Sequence, residues 1–157
     1  MSFQVTLSPS EVVMAATIGA MRQAESMKLG LKPANGFKDY ESPLSIHIEG
    51  ACGEIAYCKA RNLFFEGRIN TFKDADVGTN VQIRTRSRHD YDLIVRENDG
   101  DADYFILLTG VCPTYTIHGY IQGKDAKQER WLRNYGNRAA AYFVPKEELK
   151  SMRFKND

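Results

Sequence analysis

The sequence has few cysteines and no long apolar run, and each shortage excludes a class of protein. Its three cysteines, Cys52, Cys58 and Cys112, form no C-x-x-C pair, so neither a disulfide framework nor a structural zinc site is indicated. No apolar stretch approaches the roughly 18 residues of a membrane span. Met1 to Leu7 also lacks the basic start and apolar run of a signal peptide. We therefore expect a cytoplasmic protein without membrane contact, whose thiols are reduced and mostly buried.

An excess of charge of one sign is also missing. The 21 basic and 20 acidic residues give a net charge of +1, so any DNA-binding surface must be a local patch. A hydrophobic content of 43% and a charged content of 26% are near the globular average, which argues against disorder and fibrous repeats. A chain of this length buries roughly 70% of its unfolded surface. The sequence therefore predicts a single domain over residues 1–157.

The first helix has a clear start signal. Ser8-Pro9-Ser10-Glu11 combines a capping serine, a proline at the first helical position and a glutamate that can return the capping bond. We expect this helix to run to about Lys28 and to stop at Gly30.

A second helix is predicted from Ile48 to Asn62, after a loop over residues 31–43 that is rich in proline, asparagine and glycine. Its small residues leave a smooth surface that lets another element approach closely. Glu54 lies in its middle. A third helix is predicted from Lys124 to Asn134, and a last strand from Ala141 to Val144.

Four extended segments lie between the second and third helices. They are Val81 to Arg88, Tyr91 to Arg96, Tyr104 to Gly110, and Tyr115 to Gln122. A tight hairpin at His89-Asp90 is expected to join the first two, and Asn98-Asp99-Gly100-Asp101 is expected to form a turn before the third. The order of helices and strands predicts an α/β (α+β) fold with a central mixed sheet flanked by helices.

The start of the first of these strands has the most informative pattern in the chain. Side chains alternate between the faces of a strand, so Val81 and Ile83 should enter the core while Gln82 and Arg84 point to the other side. Asp76 lies just before the strand, where we expect a solvent-facing acid within reach of Arg84. Asp74 is a competing acid, interpreted as a turn residue.

If the helix that carries Glu54 packs against the same sheet, a second carboxylate joins Asp76 and Gln82. Hard oxygen ligands of this kind bind Mg²⁺ or Mn²⁺, and a bound metal polarises a phosphate and activates water. A nearby cation such as Arg84 offsets charge on the phosphate oxygens. The pattern predicts Glu54, Asp76 and Gln82 as metal ligands and Arg84 as the electrostatic stabiliser.

These motifs resemble those of the PD-(D/E)XK nuclease superfamily, and most of all its small phage or prophage proteins. The resemblance rests on Gly53-Glu54-Ile55-Ala56, Asp76-Val77-Gly78 and Gln82-Ile83-Arg84, and it covers residues 50–144. It implies a restriction-endonuclease-like core with DNA lying across the carboxylates, and it leaves the first helix, over residues 8–30, as an accessory element. It also implies a phage-encoded protein acting in a bacterial host.

The chain departs from the family at two positions. Gln82 replaces the usual acid, and its neutral amide should lower metal affinity. Arg84 replaces the usual lysine, and its guanidinium stabilises phosphate but cannot accept a proton from water. The site is therefore interpreted either as an enzyme with altered metal demand or as a site that binds DNA without cutting it.

Alternating basic residues extend along the same predicted strand. Arg84, Arg86 and Arg88 form a stripe that suits DNA phosphate contacts, or else an exposed strand balanced by Asp90 and Asp92. The leading prediction is a Mg²⁺-dependent DNA endonuclease or resolvase-like enzyme that uses Glu54, Asp76, Gln82 and Arg84. The alternative is a non-catalytic protein that binds DNA or a host protein, and a small-molecule-binding domain comes third. The oligomeric state is left open, with a homodimer among the options.

Overall fold

The fold consists of two long helices, a four-stranded mixed sheet and a three-stranded sheet. The computed structural model describes residues 2–31, 42–69 and 74–154, so most of the loop predicted over residues 31–43 lies outside the described residues. The predicted α/β class is confirmed. Within the described ranges, no helix has both the length and the apolar character needed to cross a bilayer.

The elements follow one another in chain order. They are β1 (Phe3–Thr6), α1 (Pro9–Lys28), α2 (Pro43–Arg61), β2 (Val81–Arg86), β3 (Leu93–Arg96), β4 (Tyr104–Val111), β5 (Thr114–Gln122), α3 (Gly123–Ala126), β6 (Leu132–Arg133) and β7 (Ala141–Val144), with 3-10 turns at Glu129–Trp131 and Lys146–Glu148. The short strand β1 was not predicted from the sequence.

Both long helices begin with a capping box. At the start of α1, Ser8 Oγ accepts from the Glu11 backbone N–H at 3.3 Å, and Glu11 Oε2 accepts from the Ser8 N–H at 2.6 Å. The predicted start of α1 is confirmed. The helix α2 begins at Pro43 rather than at the predicted Ile48, because Ser42 and Ser45 form a second capping box there. In this box the side chain that accepts from the N-cap backbone N–H belongs to serine, Ser45, instead of the usual glutamate, so the start of α2 was not recognised from the sequence.

The four-stranded sheet has the strand order β1-β5-β4-β2, with β2 parallel to β4 and the other pairs antiparallel. The strand β2 therefore lies at an edge of this sheet. The predicted hairpin at His89-Asp90 is wrong, because β3 pairs with β7 in the three-stranded sheet. Leu93 and Val95 of β3 are fully buried in the layer between the two sheets, so the chain crosses from one sheet to the other after β2.

The predicted helix from Lys124 to Asn134 is also wrong. The chain forms the short helix α3, a 3-10 turn and β6 instead. Ala126 and Trp131 are both buried in the layer between the sheets. Five residues of α-helix would place them about 140° apart around the axis, so a continuous helix would leave one of them exposed.

The core has two parts, one on each face of the four-stranded sheet. Ile106 and Leu108 of β4 pack on the helix side, while Phe105 and Leu107 pack against the three-stranded sheet. All four side chains are at most 2% exposed, because β4 is covered on both faces. The three cysteines are free thiols, and Cys52 and Cys58 are buried as expected.

Candidate functional site

The side-chain alternation predicted for β2 is confirmed. Ile83 is buried in the helix-side core and Val81 packs against that core. Arg84 points to the other face, where its guanidinium lies 5.1 Å from the centroid of the Phe105 ring. Gln82, two residues before Arg84, has the same strand parity and so shares that face.

Asp76 lies beside the outer edge of β2 and is half-buried, whereas a solvent-facing acid was expected. Its Oδ2 accepts from the Ile83 backbone N–H at 2.6 Å, and its own N–H donates to the Val81 carbonyl at 2.9 Å. Burial raises the pKa of the Asp76 carboxyl, whereas the Ile83 hydrogen bond and the positive charge of Arg84 lower it. The acid therefore supports the edge strand as well as lying near Arg84.

Glu54 is 5% exposed and forms a two-pronged ion pair with Arg22 of α1. Arg22 Nη1 donates to Glu54 Oε1 at 2.7 Å and Nη2 donates to Oε2 at 2.9 Å. Burial raises the pKa of Glu54, the Arg22 hydrogen bonds lower it, and the negative charge of Asp76 raises it. The negative charges of Glu54 and Asp76 therefore act on each other. We call these two carboxylates, with the guanidinium groups of Arg22, Arg68 and Arg84 that act on them, the carboxylate cluster.

Two arginines of this carboxylate cluster were missed by sequence reasoning. Arg22 follows Ala15 and Gly19, the two buried residues of α1, at helical spacing. A charged side chain on the buried face of a helix usually has a buried partner of opposite charge, so the sequence could have indicated an ion pair at Arg22. Arg68 was not indicated in this way, because it lies in an irregular segment, where its guanidinium donates to the carbonyls of Ala75 and Gly78.

The carboxylate cluster does not fit a divalent cation in this arrangement. Both oxygens of Glu54 are engaged by Arg22, and the Gln82 amide makes long contacts to the Asp74 carbonyl and to Asp103, at 3.5 and 3.4 Å. Two carboxylates face three guanidinium groups, those of Arg22, Arg68 and Arg84, and two of these arginines also pair with the outer carboxylates of Glu66 and Asp99. Across residues 2–31, 42–69 and 74–154, no group of three or more His, Cys, Asp or Glu side chains is arranged to hold a metal.

A groove of about 1020 Å³ lies next to this cluster, between the edge strand β2, the first half of α2 and the three-stranded sheet. We call it the arginine groove, because four guanidinium-bearing residues from separate parts of the chain line it. They are Arg84 and Arg86 of β2, Arg96 of β3, and Arg138 before β7. Arg84 therefore adjoins both the groove and the carboxylate cluster.

The positive charges in the arginine groove repel one another. Burial lowers the pKa of Arg86, the nearby Tyr91 and Asp92 raise it, and the charges of Arg96 and Arg138 lower it. Burial likewise lowers the pKa of Arg96, as do the charges of Arg84 and Arg138, whereas Asp99 raises it. Arginine remains protonated under such shifts, so the guanidinium groups of the groove keep their positive charge.

Three acidic residues also line the arginine groove, and two of them are engaged. Asp99 Oδ2 accepts from Arg84 Nη2 at 2.9 Å and from the Arg96 backbone N–H at 2.8 Å. Glu49 Oε2 accepts from the Tyr115 hydroxyl at 2.5 Å, and Glu97 is the third. Across the described ranges, no ion pair joins the side chain of Arg96 or Arg138 to a carboxylate.

The three arginines predicted to contact DNA, Arg84, Arg86 and Arg88, do not all line the same surface. Arg84 and Arg86 line the arginine groove, whereas Arg88 lies beyond the end of β2 and its guanidinium is hydrogen-bonded to Asp90 at 2.7 and 2.9 Å. Sequence reasoning missed Arg96 and Arg138. No local pattern marks them, since they meet β2 only through the packing of the three-stranded sheet.

Comparison with protein-family models, curated proteins and solved structures finds no match.

Proposed function

We propose that this protein binds DNA through its phosphate backbone, with the arginine groove as the binding surface. The observation that carries the proposal is the convergence of Arg84, Arg86, Arg96 and Arg138 from three separate parts of the chain on one groove. The fork of donors on a guanidinium matches the geometry of phosphate oxygens. Phosphate contacts of this type supply most of the sequence-independent affinity for DNA.

An extended polyanion suits the groove better than one small anion does. The arginine groove runs along the edge of β2 and on to the three-stranded sheet, and its volume of about 1020 Å³ exceeds the space that one phosphate occupies. Successive phosphates can each approach a different guanidinium. Guanidinium groups neutralise phosphate by direct contact, so we expect binding without a bridging metal ion.

The first expected result concerns salt. Replacing Arg138 by alanine should weaken DNA binding and reduce the slope of log affinity against log salt by about 0.9, the value for one lost phosphate contact on duplex DNA. Arg138 is exposed, so the fold should tolerate the change. Fluorescence anisotropy over a salt series measures both quantities, and chelation of divalent metal should leave the affinity unchanged.

Arg153→Ala is the matched control, because Arg153 is also exposed but does not line the arginine groove. It should change neither the affinity nor the slope by a comparable amount. Equal effects of the two substitutions would mean that the protein attracts DNA only through diffuse charge.

A second candidate function is metal-dependent hydrolysis of phosphodiester bonds, as the PD-(D/E)XK resemblance implies. The meeting of Glu54 and Asp76 beside Arg84 favours it. The function would require Arg22 to release Glu54, since both oxygens of that carboxylate are engaged. The two candidates therefore differ in whether bound DNA is cut.

The second expected result is that the wild-type protein binds plasmid, single-stranded and branched DNA without cutting them in Mg²⁺ or Mn²⁺. The double variant Gln82→Glu/Arg84→Lys, which restores the family residues, should also be inert. Cleavage by either protein, abolished by Asp76→Asn but not by Asp74→Asn, would establish the second candidate. Asparagine keeps an oxygen that can accept from the Ile83 N–H, so a loss caused by Asp76→Asn would report chemistry rather than unfolding.

A further inference from the structure

A smaller cavity of about 320 Å³ opens beside the arginine groove, and we call it the base pocket. Aromatic rings and guanidinium groups share its lining: Tyr91, Tyr135, Phe143, Arg86, Arg96 and Arg138. Asp90 and Asp92 also line it. The three arginines are shared with the arginine groove, so the two cavities form one continuous surface.

The base pocket lies on the outer face of the three-stranded sheet. Ile94 and Phe143 are directly paired across β3 and β7, and both line the pocket. Leu93 and Val95, which alternate with Ile94, face the buried layer instead. The outer face of the sheet therefore supplies an apolar floor that the core leaves uncovered.

The aromatic rings are held in a defined arrangement. Tyr135 meets Phe143 edge to face, with a centroid distance of 4.9 Å and an interplanar angle of 84°. Tyr135 is nevertheless 58% exposed, which leaves part of its ring open to a ligand. The guanidinium groups of Arg86 and Arg88 lie 4.4 and 5.2 Å from the centroid of the Tyr91 ring, and Arg86 Nη1 donates to the Asp92 carbonyl at 2.7 Å. Tyr91 is therefore already stacked with cations, and Tyr135 is the ring open to a base.

A flat aromatic ligand with an attached phosphate matches this composition. Nucleic acid bases stack on tyrosine and phenylalanine rings whatever their sequence, because every base has a π face. The volume lies at the small end of the range for ligand pockets, about 300–1000 Å³, which suits one nucleotide. The shared arginines would hold its phosphate at the junction with the arginine groove.

A paired base cannot enter such a pocket, because it must first leave the stack of the duplex. We propose that the base pocket takes one unpaired nucleotide of a DNA strand whose backbone lies in the arginine groove, so that the preferred ligand is single-stranded DNA or DNA with an unpaired base. This inference rests on the proposed function.

The test compares ligands that differ only in the base. Wild-type protein is titrated against a labelled single strand, an abasic strand of the same length, and the blunt duplex of the same sequence. We expect the single strand to bind about tenfold more tightly than the abasic strand. Tyr135→Ala should remove most of that difference. The substitution weakens binding of the single strand, whose base stacks on Tyr135, but not of the abasic strand, which has no base to stack.

Phe64→Ala is the matched control, because Phe64 is 86% exposed and does not line either cavity. It should leave the preference for the single strand intact. Direct titrations with a deoxynucleoside monophosphate and with inorganic phosphate test whether the base pocket instead binds a free nucleotide. If the mononucleotide binds while no strand does, the ligand is a free nucleotide and the inference about strands is overturned.

The remaining outcomes separate this inference from the proposed function. If strand, abasic strand and duplex bind equally and Tyr135→Ala changes none of them, DNA binding stands and the base pocket is wrong. If no form of DNA binds to the wild-type protein, the proposed function itself is wrong.

Discussion

Replacing Arg22 by methionine should lower the free energy of unfolding by about 3–5 kcal/mol at pH 7, the usual cost of removing one partner from a buried ion pair. The Arg22 and Glu54 side chains are only 14% and 7% exposed. Without Arg22, both oxygens of Glu54 lose their charged donors, and a buried carboxylate remains beside Asp76. Methionine preserves the aliphatic bulk of the helix position. Urea unfolding followed by circular dichroism measures the loss.

The loss should depend on pH in a definite direction. Burial already raises the pKa of Glu54, and Arg22 lowers it, so removing Arg22 raises the folded-state pKa further. Between the ordinary pKa of 4.5 for a glutamate carboxyl and the higher pKa in the folded protein, the folded protein then holds a proton that the unfolded chain has lost. Stability falls as the pH rises through this window. The difference between variant and wild type should therefore be smaller near pH 4.5 than at pH 7.

Lys28→Met is the matched control on the same helix. Lys28 pairs with Glu25 at 3.2 Å, but its side chain is 72% exposed, and a surface pair of this kind contributes about 0–1 kcal/mol. Adding Glu54→Gln to Arg22→Met should recover part of the loss, because the unpartnered charge is removed. A small effect of Arg22→Met that does not change with pH would contradict the buried ion pair.

Replacing Gly19 by alanine should destabilise the fold by about 1–3 kcal/mol, the usual cost of overpacking a core. A Cβ atom on Gly19 would lie 2.6 Å from Ile48 Cα and 2.7 Å from Ile48 N. These are backbone atoms of α2, so a change of rotamer cannot relieve the clash, and α1 would have to move away from α2. Helix propensity alone gives the opposite sign, since alanine is favoured over glycine by about 1 kcal/mol.

Gly50→Ala provides the comparison. Gly50 lies inside α2, and a Cβ atom there would have no neighbour within 4 Å. The substitution should therefore stabilise the protein by up to about 1 kcal/mol, as helix propensity requires. Thermal unfolding of both variants measures the contrast. If Gly19→Ala also stabilises the protein, the close approach of α1 to α2 is wrong.

Several elements could be predicted from the sequence because their signals are local. The capping box at Ser8 and the proline after it define the start of α1, and both act within one turn of helix. The alternation in β2 predicted that Ile83 would be buried and that Arg84 would lie on the opposite face, as found.

The prediction of local strand pairing failed, because the actual partner of β3 is the distant strand β7. A hairpin between β2 and β3 was a reasonable expectation from two adjacent strands, but strand pairing depends on which apolar face each strand must bury. Leu93 and Val95 are buried only by forming a second layer. The same layer brings Arg96 and Arg138 to β2. Two of the four arginines in the groove therefore could not be predicted from any local sequence pattern.

By itself, the sequence determined the α/β class, the long first helix and the alternation along β2, because caps and side-chain periodicity are properties of neighbouring residues. Only the tertiary structure decided which charges face Glu54 and Asp76 and which arginines line the groove. Ion pairs such as Arg22 with Glu54 join residues 32 positions apart, and the free energy of a buried charge depends on every group around it. That surrounding field exists only once the helices and both sheets have packed.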